Sequence, residues 1–152
     1  MSTASSHFAT LIDGLNQRTG LALRSTDGAC AFLDKQGAYW QLSLGMGSDL
    51  IVIECTLGTL SDWPARVALR LLELNTRHDV LRGASLGVDP VSQDVRAMLL
   101  LPMAGLDAGL LENAVSNLMG VRDAVADDLA GVEGASNVSE FAERQPGPLD
   151  FA

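Results

Sequence analysis

The 152-residue chain has few of the residues from which reactive sites are usually built. It carries two histidines, His7 and His78, and two cysteines, Cys30 and Cys55. Neither cysteine stands in a CxxC or CxxH spacing, so no metal site is expected. Both lie in apolar, alternating runs, where buried small hydrophobes need no further explanation. The Gly45-Met46-Gly47-Ser48 stretch lacks the lysine ending of a phosphate loop and precedes a strand, which fits a hairpin turn. No catalytic residue and no cofactor are therefore expected. Aromatics make up only 5% of the chain, which leaves most of the packing to aliphatic side chains. Positive charge is scarce as well. Ten Lys and Arg face nineteen Asp and Glu, a net charge of −9. Such a balance disfavours nucleic acid, whose binding depends on clustered cations releasing counterions, and disfavours an anionic membrane surface. No apolar run approaches the ~20 residues that cross a bilayer. Met1–Thr10 has neither the basic nor the apolar region of an export signal, so a cytoplasmic location is expected.

The chain does have hydrophobic residues, 47% of its length, enough for one folded core. Phe8, Leu11, Ile12 and Leu15 recur at i, i+3, i+4, i+7 and predict a one-sided helix capped near Ser5 or Ser6. Three strands follow, over 28–34, 38–44 and 50–57, with Cys30, Phe32, Trp40, Leu42, Ile51, Ile53 and Cys55 on the core face. Lys35-Gln36-Gly37 has hairpin-turn chemistry. A second helix is predicted from Ser61 or Asp62 to about Asn75, two further strands over 84–88 and 94–101, and a last helix over 107–129. The fold class is thus α+β, one domain of order α-β-β-β-α-β-β-α over 1–130, its twisted antiparallel sheet flanked by helices. Residues 131–152, rich in Gly, Pro, Ser and acids, read as a flexible acidic tail.

Two regions hold more apolar surface than one subunit of this size needs. On the second helix, Trp63, Val67, Leu71 and Leu74 form one stripe and Ala65, Ala68, Leu69 and Leu72 another. The apolar arc is roughly 240°, so the helix must be covered from two sides, and a second copy is the economical cover. A homodimer through Ala65, Ala68, Leu69 and Leu72 is expected, and it requires Leu69 and Leu72 to stay outside their own subunit's core. The sheet's second face is half apolar through Leu33, Leu50, Val52, Met98 and Leu100. Either the first or last helix covers it, or it binds an unfolded or extended segment of another protein.

The segments LRLLELNTRHDVLRGASLGVD, DVRAMLLLPMAGLD and AGLLENAVSNLMGVRDAVADDL, with the opening LIDGLNQRTGLAL, resemble the Tir chaperone (CesT) family, the class I chaperones of type III secretion. The likeness spans about Phe8 to Leu129 and rests on apolar positions, Asn75, Gly83 and an acidic last helix. The aromatic often found near the end of that helix is replaced by Val125 and Ala126. The resemblance implies a homodimer that keeps secreted effector proteins soluble and export-ready by binding their N-terminal segments in extended form, without nucleotide. Client-binding residues would be Leu33, Leu50, Val52, Met98 and Leu100. A secretion ATPase is a further candidate partner. The alternatives are a regulatory or sensory α/β domain without secretion clients, or a small enzyme using Cys30 or Cys55.

Overall fold

A computed structural model describes residues 3–45, 47 and 49–143, with helical backbone alone from 133 onward. Helix α1 (Thr3–Thr19) leads into strands β1 (Ala29–Leu33), β2 (Tyr39–Leu44) and β3 (Leu50–Thr59). Helices α2 (Ala65–Leu74) and α3 (His78–Leu81), strands β4 (Ser85–Val88) and β5 (Asp94–Pro102), and helix α4 (Ala108–Glu143) complete the order. The expected sequence of elements holds, with the four-residue α3 added. The five strands form one antiparallel sheet in the order β1-β2-β3-β5-β4, so β1 and β4 are its edges.

Period-2 patterning decides which side of the sheet is core. Cys30, Trp40, Leu42, Ile51, Ile53, Cys55, Val95, Ala97 and Leu99 are buried on one face. Against them pack Phe8, Leu11, Ile12 and Leu15 of α1 and Leu111, Leu118, Val121, Val125 and Leu129 of α4. Both helices therefore share one side of the sheet. They also lie close together: a Cβ on Gly14 would stand 2.7 Å from that of Ala108. Arg18 and Glu112 pair across the two helices at 2.5 Å.

Three boundaries differ from expectation. Ser61 and Asp62 do not start α2; they lie in a 3-10 turn, and the helix begins after Pro64, whose missing N–H costs nothing there. Helix α1 begins at Thr3, ahead of the serines expected to cap it. Helix α4 runs beyond Leu129, where its apolar stripe ends, to Glu143, since no proline interrupts the chain before Pro146. Of the acidic tail expected over 131–152, residues 144–152 lie outside the described residues.

Candidate functional site

Strand β1 is held by a turn at each end. Asp27 and Gly28 both have positive φ, and Thr26 and Ala29 exchange two hydrogen bonds across them. This is a two-residue hairpin turn for which Asp-Gly is the preferred pair. At the other end Asp34 organises the β1–β2 turn. Its Oδ1 accepts the backbone N–H groups of Gln36 (2.8 Å) and Ala38 (2.9 Å), and its Oδ2 accepts the Trp40 indole N–H at 3.0 Å. Arg122 of α4 reaches the same Oδ2, donates to Gln36 Oε1 at 2.9 Å, and lies 5.8 Å from the Trp40 ring centroid. Burial alone would raise the Asp34 carboxyl, but the bonds from Trp40, Ala38, Gln36 and Arg122 outweigh it and hold it below its ordinary value.

The ladder between β1 and β2 leaves two residues facing outward. The Asp34 N–H donates to the Ala38 carbonyl and the Leu44 N–H to the Gly28 carbonyl. Bonded pairs alternate in an antiparallel ladder, so Phe32 and Cys30 bond to β2 while Ala29, Ala31 and Leu33 point away. Thr26 takes up Ala29. Ala31 and Leu33 remain, with exposed side chains and main-chain groups directed off the sheet. Beside them runs a groove of about 500 Å³ whose apolar walls are Leu15, Leu21, Phe32, Leu33, Val115 and Met119. Asn16 of α1 ties down the chain that leaves the helix, donating to the Leu23 carbonyl and accepting the Leu23 N–H, both at 2.9 Å.

The five residues expected to bind clients fall in two places. Val52 faces Leu100 across β3 and β5, Leu50 faces Pro102, and Met98 faces Glu54. These four share the sheet face away from α1 and α4, so neither helix covers them as the alternative required. Leu100 is 53% exposed and the other three are half-buried. Leu33, 68% exposed, is not part of that patch; it lies two strands away on the β1 edge, opposite Tyr39. Arg96, which pairs with Asp89 (3.0 Å) and Glu54 (3.7 Å), borders the patch. Leu21, Ala31, Val115 and Met119 were not singled out by sequence. The open-edge parity of Ala31 was readable once the turn length was known; the groove walls, about a hundred residues apart, were not.

On α2, Val67, Leu71 and Leu74 are buried in the subunit's core. Leu69 and Leu72 are 60% and 67% exposed, Ala65 is exposed and Ala68 half-buried. The two-stripe reading thus describes the helix: one stripe inside, one outside. Ala68 and Leu72 also line a groove of about 270 Å³ against Leu86 and Val88 of β4.

Cys30 and Cys55 are buried free thiols, pushed by burial up to about 11 and about 12 respectively. Among the described residues there is no cluster of three or more His, Cys, Asp or Glu placed to hold a metal, and no helix is long and apolar enough to cross a membrane.

The five-stranded antiparallel sheet with its helices on one face is a fold shared with solved chaperone structures. The chain belongs to the Tir chaperone protein (CesT) family, whose model matches residues 10–125. No curated protein matches it significantly. Among solved structures it is similar to a chain of the HopA1–SchA chaperone–effector complex, at 19% identity and TM-score 0.70, covering 84% of this chain and 98% of that one. A chain of the ExsC–ExsE complex gives 18%, 0.70, 84% and 96%. A chain of the heterodimeric ExoU–SpcU complex from the type III secretion system of Pseudomonas aeruginosa gives 19%, 0.58, 76% and 93%.

Proposed function

We propose that this chaperone binds the N-terminal segment of a secreted effector in extended form, with the client's backbone paired to Ala31 and Leu33 and its apolar side chains in the adjoining groove. The observation that carries this reading is the coincidence of two open main-chain positions with about 500 Å³ of apolar groove on one edge. Strand addition supplies hydrogen bonds indifferent to side chains, while alternate pockets supply choice among clients. The apolar patch of Leu50, Val52, Met98 and Leu100 extends the contact to the second sheet face, as a wrapped client needs to offset its ordering entropy. The working form is a cytoplasmic homodimer joined through Ala65, Ala68, Leu69 and Leu72, and it performs no catalysis. The likeness to a chain of the HopA1–SchA chaperone–effector complex supports this assignment of partner.

Co-purification with candidate effectors followed by limited proteolysis tests the reading. A protected stretch near the effector's N-terminus is expected, and its protection should disappear when the β1 edge is blocked. Recovery of only folded, fully digestible effector would overturn it.

A further inference from the structure

The sheet's two edges are finished differently. At β4 the Asp89 N–H donates to the Asp94 carbonyl at 2.9 Å, which places Asp89, Gly87 and Ser85 on the bonded pairs with β5. Leu86 and Val88 therefore turn outward. Leu86 is not available to another strand. The Asn75 carboxamide, at the C-terminal end of α2, donates from Nδ2 to the Leu86 carbonyl at 3.0 Å and accepts the Leu86 N–H on Oδ1 at 2.8 Å. One side chain thus makes both bonds that a neighbouring strand would make. Only Val88 remains beyond it, and the chain turns at Asp89-Pro90 immediately after.

We propose that Asn75 is an edge plug: it bars strand-to-strand pairing between two copies at β4 and confines a second copy to side-chain packing on the outer stripe of α2. The inference rests on the dimer reading above. Its need follows from adjacency. Leu72 of the exposed stripe and Val88 of the β4 edge border the same groove, so two copies joined through α2 bring their β4 edges near one another. Exposed edges beside apolar surface are templates for unwanted pairing. A subunit with two open edges can recruit a neighbour at each and grow without closing. With β4 plugged, head-to-tail growth in which the β1 edge of one copy pairs with the β4 edge of the next is barred.

The test is the solution mass of the full chain by light scattering over a range of concentrations, with circular dichroism to establish folding. Asn75→Ala should yield species whose mass rises with concentration to at least double that of the wild type. Adding Val88→Lys, a charge on the edge strand, should return the mass to that of Val88→Lys alone. If Asn75→Ala does not fold, Asn75→Asp, which still accepts the Leu86 N–H but cannot donate to its carbonyl, is measured in the same way. A folded Asn75 variant of unchanged mass overturns the proposal. So does growth that Val88→Lys fails to reverse, because that growth would not run through the edge. A monomeric wild type would instead defeat the dimer reading and leave the comparison between variants intact.

Discussion

Arg122 and Asp34 are separated by 88 residues in sequence. They nevertheless form the most deeply buried ion pair of the described residues, with side chains only 10% and 8% exposed. A buried charge left without its partner is costly, so Arg122→Ala should lower stability by about 3–5 kcal/mol. Asp34 would keep its turn bonds but lose its countercharge. Urea denaturation measures the cost, and a change of less than about 1 kcal/mol would mean that water already reaches the pair. The two thiols make a separate test. With values near 11 and 12, very little thiolate is present at pH 8, and the sulfurs are buried. Native protein should therefore resist iodoacetamide and react fully once unfolded. Rapid native labelling of either cysteine would reopen the case for a nucleophile.

At the scale of elements, β1 and α2 carry opposite kinds of exposed surface. On β1 the exposed resource is backbone. Ala31 can become proline without breaking the β2 ladder, because its N–H points off the sheet. Ala31→Pro should preserve the thermal midpoint within a few degrees while weakening effector retention by about tenfold or more, through a lost bond and a blocked approach. On α2 the exposed resource is side chain. Leu69→Asp puts a charge where a partner would bury it, and it should convert a dimer to a folded monomer. An unchanged dimer mass would move the interface elsewhere.

Alternation over 38–44 and 50–57, and the twin stripes of α2, were legible because each is a local period that a short window contains. The separation of Leu33 from the other four candidate residues was not, since it depends on strand order. Asn16 and Asn75 were equally opaque. Each acts by standing in for a strand, and nothing in a lone asparagine distinguishes that from an ordinary polar surface residue. Asp27-Gly28 is a strong local turn signal, but its use to close the start of β1 emerges only with the Thr26–Ala29 pairing.

For the whole molecule, the helices occupy one side of the sheet and leave the other with Leu50, Val52, Met98 and Leu100. That asymmetry fits a protein completed by its partners. Light scattering of the purified chain should give about twice its 16.0 kDa mass, and a mass equal to one chain would remove the case for pairing. The charge distribution belongs to this scale too. Residues 107–150 carry nine acids and two bases, and residues 1–106 carry ten and eight, so the acidic field is concentrated toward one end of the chain.

The groove beside β1 has Leu15 on one wall and Met119 on the other. These two side chains stand about a hundred residues apart, so the cleft exists only when the first and last helices have both packed on the covered side of the sheet. A subunit whose last helix is undocked keeps the strand but not the hollow beside it.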